Sequence, residues 1–280
     1  MTGAAGGMGR LLVGLLQADP TVELFRTDLT GPEDAGCIAC DLTDAAAVMA
    51  LMRRTRPERI FHLAGTMTGE FERDRAINAD AARFLCEAVR ALGLRSRIVV
   101  IGSSAEYGLV APHENPVRET RALRPVTVYG LTKAFQTGIA MYYAAHHDVD
   151  VVEARPFNFL AKGLGAHLFV GRAERLIERF QRGEISTLDF GNLSSARDYV
   201  DADEAMSQLK LIADKGSKGE VYHIGSGKPT VIRDLLARLL HEAGIDPAVV
   251  RESPGRPPTL GTDVPIIYAD MTKTRALADG

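Results

Sequence analysis

The stretch TGAAGGMGRLLVGLLQ, residues 2–17, decides the fold. Three of its glycines follow one another at GxxGxxG spacing immediately before the apolar run LLVGLL, which has a helical pattern. Glycine lets the main chain turn sharply and approach a ligand, while the N-terminus of a helix offers free N–H groups and the positive end of its dipole. The stretch therefore predicts a loop and helix that hold the pyrophosphate of a dinucleotide. The residues expected to contact it are Gly3, Gly6, Gly7, Met8 and Gly9.

Beyond this loop, short apolar runs alternate with amphipathic stretches over the first half of the chain. The apolar runs are VELF, GCIAC, RIFHLAG, RIVVIGSS and VDVVEAR, and stretches such as DAARFLCEAVRAL separate them. Strand and helix in alternation predict an α/β fold with a doubly wound parallel sheet of the Rossmann type. Ligands of such sheets lie beyond the carboxyl ends of the strands, so the residues that follow each apolar run are the candidates for function.

The pattern changes after the fifth apolar run, where a helical segment, FVGRAERLIERFQRG, leads into short strands and helices. We predict a dinucleotide-binding domain over residues 1–157, to which residues 194–227 return. Residues 158–193 and 228–280 are predicted to form a smaller, partly interleaved substrate-binding lobe. Both ends look clipped, because a glycine loop of this kind normally follows a buried strand but here begins at Thr2. Either the start site is misplaced or the chain is a fragment.

The composition excludes several classes of protein. Hydrophobic residues make up 46% of the 280 residues and charged residues 25%, as in an ordinary globular protein. Lysine and arginine number 33 against 36 aspartates and glutamates, without a basic block, so nucleic-acid binding is not expected. No apolar stretch reaches the roughly 20 residues of a membrane span, and a signal peptide is not recognisable. The predicted location is the cytoplasm, with no membrane partner.

The three cysteines are too few for a disulfide framework. Cys37 and Cys40 form a CxxC pair in the strand-like run CIACD, and Cys86 lies in a helical pattern. A zinc site would need a second pair of ligands, and a redox motif would place the pair at the start of a helix. We interpret these cysteines as structural and expect no metal.

Acidic residues follow the next two apolar runs of the chain. Asp28 lies about 20 residues after the glycines, where a carboxylate accepts hydrogen bonds from the adenosine ribose and repels a 2′-phosphate. This position favours NAD over NADP, although NADP stays possible if Arg26 binds the phosphate and Asp28 is a turn residue. Asp41 is either an acceptor for the adenine amino group or the N-cap of the helix in DLTDAAA, and Leu42 beside it is also expected to contact the cofactor.

Small residues after the run RIFHLAG let a cofactor lie against the main chain. His62 is expected to be a structural polar group. Asn78, in INADAARF, is expected either to position the main chain of the active site or to be exposed on its helix. The cofactor contacts expected from this part of the chain and from the end of VDVVEARP are Leu63, Ala64, Gly65, Asn78 and Pro156.

Tyr129 and Lys133, in YGLTK, carry the clearest sign of catalysis. Their i, i+4 spacing places both side chains on one face of a helix. A tyrosine has a pKa of about 10, and a nearby ammonium group favours the phenolate, so the pair suits proton transfer near neutral pH. Ser103 and Ser104 end the run RIVVIGSS, and a hydroxyl there can hydrogen-bond a reacting carbonyl. Of the two we select Ser104.

The order of these motifs, from the glycine loop through HLAG, SSAEYG and YGLTK to RPFN, resembles that of the extended short-chain dehydrogenase/reductases across essentially the whole chain. The compact segment IGSSAEYG, together with FGNLSSARDYVDADEA and GEVYHIGSGKPTVIRDLL, is most similar to the GDP-6-deoxy-4-keto-mannose reductases. This resemblance implies a 4-ketoreductase that moves a hydride between the nicotinamide and C4 of a nucleotide-linked 6-deoxyhexose. In this role Tyr129 handles the proton of the oxygen, and Tyr129 and Lys133 also contact the cofactor.

The resemblance also implies how substrate and partner bind. Arginine offers a planar fork that matches phosphate oxygens, so the substrate diphosphate is expected to meet arginines of the smaller lobe. The implied substrate contacts are Ser104, Asn158, Arg197 and Arg256. The helices near residues 72–92 and 128–146 are expected to form a four-helix interface of a homodimer.

Other activities of the same superfamily stay open. Asp28 suits an NAD-linked dehydrogenase or a 4-epimerase that retains its cofactor. Glu106 is a candidate base of a 4,6-dehydratase, although Ala105 removes the acid partner of many such enzymes. The segment FLAKGLG departs from the His and Gly-Pro-Gly turn of the resembling reductases, so the sugar pocket can differ. A dinucleotide-sensing regulator without turnover is the non-enzymatic alternative, which the set Ser104, Tyr129 and Lys133 argues against.

Overall fold

The structure is a computed structural model that describes residues 1–29, 36–165, 168–253 and 264–279. The helices are α1 (Gly7–Gln17), α2 (Ala45–Thr55), α3 (Phe71–Arg75), α4 (Ala81–Ala91), α5 (Val128–His146), α6 (Phe169–Gln181), α7 (Ala202–Lys215), α8 (Ile232–Glu242) and α9 (Thr272–Asp279). The strands are β1 (Arg26–Asp28), β2 (Cys37–Ala39), β3 (Arg59–His62), β4 (Arg97–Ile101), β5 (Val151–Pro156), β6 (Asn158–Leu160), β7 (Leu188–Phe190), β8 (Ala196–Asp201), β9 (Val221–Ile224), β10 (Pro229–Val231), β11 (Val250–Glu252) and β12 (Ile266–Ile267).

A parallel sheet forms the centre of the molecule, as predicted. Strands β3, β4, β5 and β9 are neighbours in that order, and β1 pairs with β2. Thr2 bridges Thr27 of β1 and His62 of β3, so the order across the sheet is β2, β1, Thr2, β3, β4, β5, β9. The expected α/β fold of the Rossmann type is confirmed.

Helices cover the sheet on both faces, which is why its inner strands are continuous apolar runs. Ile98 and Val100 of β4 face a core that they share with α2, α4 and α5. Val99 and Ile101 of the same strand face a second core, formed with α1 and α7. The alternation of side chains along one strand thus fills two layers and fixes the register of the sheet.

A cavity of about 780 Å³ lies between β1 and β3, next to Met1. Its lining includes Arg59 and Arg97, which begin β3 and β4, so it lies at the amino ends of the strands. Dinucleotides bind such sheets at the opposite, carboxyl ends. This cavity is therefore not the candidate site.

The smaller lobe has its own sheet, in which β8 pairs with β6, β10 and β12. Strands β7 and β11 pair beside it, and α6 and α8 pack over the core that they form.

The return to the large sheet was predicted to begin at residue 194, but residues 196–201 belong to the small sheet, and only α7 and β9 return. Helix α9 packs against α7 and β9, so the carboxyl-terminal part of residues 228–280 also lies against the large domain. Among the described residues, no helix is long and apolar enough to cross a membrane.

Candidate active site

The glycine loop lies where the sequence predicts, at the carboxyl edge of the sheet before α1. Gly3 has a φ of 68°, and a Cβ there would come within 2.6 Å of the Ala64 main-chain nitrogen. A Cβ at Gly9 would lie 2.1 Å from the Gly3 carbonyl oxygen. Gly6 is the N-cap of α1 and has no side chain to satisfy the first N–H groups of the helix. These groups are thus available to a phosphate, with Gly7 and Met8 in the first turn.

The two candidate acidic residues differ in how their carboxylates are used. Asp28 ends β1, and its Oδ2 accepts a hydrogen bond from the Ala5 N–H at 2.9 Å, which ties it to the glycine loop. Asp41 is exposed and accepts from both the N–H and the hydroxyl of Thr43, which lower its pKa. The N-cap of α2 is Asp44, so the capping role considered for Asp41 is wrong. Leu42, between these residues, is buried.

The segment after β3 is held by Asn78, in support of the first of its two expected roles. Asn78 is fully buried, accepts from the Thr66 N–H at 2.8 Å and donates to the Thr66 carbonyl at 2.9 Å. It also donates to the hydroxyl of Thr132 on α5. Asn78 lies in a turn of π-helix between α3 and α4, an irregularity that often marks functional sites. Leu63, Ala64 and Gly65 therefore form a fixed wall beside the glycine loop.

Tyr129 lies in the first turn of α5, and the Ser103 side chain is close enough to its phenol to affect the pKa of Tyr129. The helix begins close to the end of β4, because a Cβ at Gly130 would lie only 2.5 Å from the Ala105 carbonyl. Burial raises the pKa of Tyr129, and the Ser103 side chain opposes this rise. The selection of Ser104 is thus not supported, since Ser104 begins the 3₁₀ turn that follows and Ser103 supplies the contact.

Lys133 is buried one turn further along α5, beneath Tyr129. Its ammonium group donates to the Ile101 carbonyl at 2.9 Å and to Oε1 of Gln136 at 3.1 Å. A Cβ at Gly65 would come within 3.2 Å of the Lys133 nitrogen, so this ammonium group also lies against the wall after β3. Burial lowers the pKa of Lys133 to about 8. The pKa of Tyr129 is raised and not lowered as predicted from the spacing with Lys133, because burial is the largest influence on it.

The carboxylate of Glu106, a candidate dehydratase base, is enclosed inside the protein. It is fully buried and accepts hydrogen bonds from the Ser103 N–H at 2.6 Å and from the Thr137 hydroxyl at 2.7 Å. Nη2 of Arg155, near the end of β5, lies 3.0 Å from Oε2, the oxygen that also accepts from Thr137. These contacts weigh against the interpretation of Glu106 as a dehydratase base, since both of its oxygens are engaged inside the protein.

The expected substrate contacts lie at the boundary between the two sheets. Asn158 begins β6, directly after the turn that follows Pro156, and donates to the Asp198 carbonyl. Arg197 of β8 donates to the carbonyls of Ala196 and Val264. Arg256 lies outside the described residues. Asn158 and Arg197 thus stand on neighbouring strands of the small sheet, on the side of it that adjoins β5.

Three residues with a role near the site were not selected from the sequence. Gln136 donates to the same Ile101 carbonyl as Lys133, and Thr132 bonds Asn78. Arg155 joins Glu106 to the neighbouring strand. A signal was present for Arg155, because charged residues within the otherwise apolar run VDVVEAR are unusual in a buried strand.

Comparison with known proteins agrees with this geometry. Residues 1–225 match the NAD dependent epimerase/dehydratase family. The chain belongs to this family. It is 27% identical over 263 residues to the GDP-6-deoxy-D-mannose reductase of Pseudomonas aeruginosa, which covers 90% of this chain and 82% of that protein. It is 29% identical over 279 residues to the dTDP-6-deoxy-L-talose 4-dehydrogenase (NAD(P)(+)) of Kitasatospora kifunensis, covering 98% of this chain and 87% of that protein.

The fold is also that of a solved structure, RMD from Pseudomonas aeruginosa complexed with NADPH. The TM-score is 0.85 at 23% identity, and the alignment covers 99% of this chain and 90% of that one. The sequence-based assignments to the epimerase/dehydratase family and to an NAD-type cofactor are confirmed. The residues fit such a cofactor, because side chains are excluded at Gly3 and Gly9 and the first N–H groups of α1 are uncapped.

We expect Ser103, and not Ser104, to be the hydroxyl that assists Tyr129. Ser103→Ala should slow carbonyl reduction about 100-fold, the usual effect of losing one donor to a developing oxyanion. Ser104→Ala, the matched control in the same turn, should change the rate little. Steady-state kinetics of the two variants, with dinucleotide affinity measured alongside, tests this. The reverse order of effects would restore the assignment of Ser104.

We expect this protein to bind NADH more tightly than NADPH, because Asp28 ends β1 beside the glycine loop. A carboxylate next to a 2′-phosphate is repulsive in a partly desolvated pocket. Asp28→Asn should reduce this preference about tenfold, because it removes the charge and keeps the size of the side chain. Fluorescence titration with both cofactors measures the ratio, with Asp41→Asn as control. Equal or tighter NADPH binding by the unaltered protein would contradict the role of Asp28 and implicate Arg26.

Proposed function

We propose that this protein is a nucleotide-sugar oxidoreductase that interconverts a 4-keto group and a 4-hydroxyl group of an NDP-6-deoxyhexose. The observation that carries the proposal is the close approach of the first turn of α5, which carries Tyr129, to the turn that carries Ser103, with the Lys133 ammonium buried in the same helix. This set lies at the carboxyl edge of the sheet, beside the glycine loop that fits the dinucleotide. The relatives that support the sugar class are the GDP-6-deoxy-D-mannose reductase and the dTDP-6-deoxy-L-talose 4-dehydrogenase.

The chemistry divides between the cofactor and the chain. When bound, the nicotinamide dinucleotide supplies or accepts the hydride at the sugar carbon. Tyr129 gives a proton to the carbonyl oxygen during reduction and takes it from the hydroxyl during oxidation. Ser103 donates a hydrogen bond to the same oxygen, and Lys133 holds positive charge behind the phenol, which favours the phenolate. One hydride and one proton thus convert a ketone into an alcohol.

The substrate is proposed to extend from this edge over the smaller lobe. Asn158 and Arg197 lie on neighbouring strands of the small sheet, and the guanidinium of Arg197 is fixed by the Val264 carbonyl. A fixed guanidinium suits bidentate contact with phosphate oxygens. We propose that these two residues contact the diphosphate, and that Arg256 contributes as well.

The geometry around Glu106 weighs against the dehydratase alternative. A 4,6-dehydratase needs a base that reaches the sugar, and the Glu106 carboxylate is enclosed between Ser103, Thr137 and Arg155. A purely dinucleotide-sensing role leaves the placement of Tyr129 near Ser103 without a function, since binding of the dinucleotide needs no proton-transfer group.

Removal of the phenol hydroxyl tests the proposed chemistry. Tyr129→Phe should lower turnover at least about 100-fold, since general acid catalysis is lost, while NADH affinity stays close to that of the unaltered protein. Lys133→Met should reduce both turnover and affinity. The assay uses NADH and NADPH with GDP-, dTDP-, UDP- and CDP-linked 4-keto-6-deoxyhexoses.

Tyr142→Phe, on the exposed side of the same helix, is the control and should retain full activity. Near-normal turnover by Tyr129→Phe would require a proton donor other than this phenol. Turnover of none of the four nucleotide sugars by the unaltered protein would contradict the proposed substrate class.

We also propose that the protein is a homodimer, joined through the helices predicted for a four-helix interface, and that it is cytoplasmic. Helices α3, α4 and α5 form a groove of about 450 Å³ whose lining includes Phe135, Ile139 and Tyr142. Phe71, Phe135 and Tyr142 are 37%, 42% and 52% exposed, so apolar surface is concentrated on this face. A cytoplasmic location fits the cysteines, which are all free thiols.

The dimer is tested by light scattering at micromolar concentration. The unaltered protein should have the mass of two chains, and Phe135→Glu should yield monomers, because a charge at the centre of the apolar face has to be desolvated. Leu109→Glu is the control, since Leu109 is equally exposed at 44% but lies in the loop after β4. A monodisperse monomer of the unaltered protein would contradict the proposal.

A further inference from the structure

A group of buried charges lies behind the active site and takes no part in the chemistry described above. It consists of Glu106, Glu153, Arg155 and Lys133, each no more than 4% exposed. Charges are rarely buried unless they are paired, and a buried ion pair by itself seldom adds stability. A cluster of four next to a catalytic tyrosine therefore calls for a functional account.

Glu106 joins the two elements that carry the catalytic side chains. One of its oxygens accepts from the main-chain N–H of Ser103, at the end of β4. The other accepts from the hydroxyl of Thr137, which lies on α5 one turn beyond Lys133. Since Ser103 must meet Tyr129 across this gap, Glu106 fixes the distance that the hydrogen bond between them requires.

Glu153 and Glu106 converge at Gly102, and Arg155 holds both. A Cβ at Gly102 would lie 2.2 Å from Oε1 of Glu153 and 2.7 Å from Oε1 of Glu106, so glycine leaves the space for both carboxylates. Nη2 of Arg155 lies 2.9 Å from Glu153 and 3.0 Å from Glu106. Behind it, Nη1 donates to the hydroxyl of Tyr107 at 2.8 Å. The guanidinium is thus fixed on three sides.

Two carboxylates face two cations in this cluster, and only one cation touches them. Arg155 forms the direct contacts, while the hydrogen bonds of Lys133 go to the neutral acceptors of Ile101 and Gln136. Burial lowers the pKa of Lys133 to about 8, and the charges of Glu106 and Glu153 oppose this fall. Burial and Glu153 raise the pKa of Glu106 to about 7, against the effect of Arg155. The charge of Lys133 near neutral pH therefore depends on these carboxylates.

The other titratable groups around the cluster do not change charge in this range. Burial lowers the pKa of His62, on β3, and of His223, on β9, to about 3, so both are neutral. Tyr107 hydrogen-bonds His223 at 2.6 Å, and burial raises its pKa. Arg155 stays charged, because Glu153 and Glu106 raise its pKa against the effect of burial. Tyr129, Lys133 and Glu106 are left to govern the pH response.

We propose that Glu106 and Glu153, clamped by Arg155, are positioning residues that keep the Lys133 ammonium charged and hold Ser103 against Tyr129. The proposal rests on the proposed function in so far as Tyr129 is the proton-transfer group. It assigns the carboxylates an electrostatic role through Lys133 and Tyr129, and no contact with substrate or cofactor.

Glu153→Gln is the sharpest test, because it changes charge and preserves shape. The amide oxygen can replace Oε1, which accepts from Arg155, and the amide nitrogen can replace Oε2, which has no hydrogen-bond partner among the described residues. Loss of one negative charge should lower the pKa of Lys133, which Glu153 raises. The part of the pH profile of turnover that follows Lys133 should therefore move toward lower pH, by about one unit. Glu106→Gln should shift the profile in the same direction and also lower its maximum, because one amide oxygen cannot replace both Oε1, which accepts from the Ser103 N–H, and Oε2, which meets Thr137 and Arg155.

Glu119→Gln is the matched control. Glu119 is a mostly buried carboxylate that accepts from the His223 N–H, on the far side of Tyr107 from Lys133. The pH profile of turnover of Glu119→Gln should coincide with that of the unaltered protein. If Glu153→Gln lowers the maximum turnover but leaves the pH profile at the same pH, the proposal is overturned and the cluster is purely structural. A profile that is unchanged in height and position would overturn it as well.

A binding measurement separates this proposal from the proposed function. NADH affinity, titrated from pH 6 to 9 by fluorescence, should weaken where Lys133 loses its proton, and Glu153→Gln should move that midpoint down by about one unit. A lower midpoint in Glu153→Gln supports the positioning role of the two carboxylates even if no 4-keto sugar is turned over. If the midpoint of the pH dependence of NADH affinity is unchanged in Glu153→Gln, the positioning role is overturned, even if the enzyme is fully active. Thermal melting of each variant verifies that it is folded.

Discussion

The site depends on the contact between the end of β4 and the first turns of α5. Gly130 lets the helix start almost against the Ala105 carbonyl, and the Glu106 carboxylate then bridges Ser103 to Thr137. Without this contact, Ser103 and Tyr129 would belong to two elements with no fixed distance between them. Catalysis by a phenol requires placement to a fraction of an ångström, because a proton moves only along a short hydrogen bond.

The same contact explains why charged side chains are buried at a place where apolar side chains would pack at a lower cost in free energy. Replacing a buried ionic cluster by well-packed apolar side chains is often neutral or stabilising, so stability alone does not account for Glu106, Glu153 and Arg155. A low-dielectric interior strengthens every charge interaction within it. Carboxylates placed there act on Lys133 over a distance at which exposed carboxylates would be screened by water and salt.

Much of the fold and of the catalytic pair could be predicted from the sequence, because both depend on local periodicity. Alternating strands and helices determine a parallel sheet, and the i, i+4 spacing of Tyr129 and Lys133 determines a shared helical face. The direction of each side chain in a short turn cannot be predicted from periodicity. Adjacent residues such as Ser103 and Ser104 point in different directions, and the choice between them is made by the capping of the 3₁₀ turn and by α5, which is distant in sequence.

The enclosure of Glu106 escaped prediction for a related reason. A carboxylate near a catalytic serine looks exposed and reactive in one dimension, and only the neighbouring strand, which supplies Arg155 some 50 residues later, turns it inward. The boundary of the smaller lobe escaped prediction similarly, since β8 could pair with either sheet until β6, β10 and β12 were seen beside it. Long-range pairing therefore decides both which residues are structural and which are free to react. In this chain it encloses Glu106 between Ser103, Thr137 and Arg155 and leaves the carboxylate no open side.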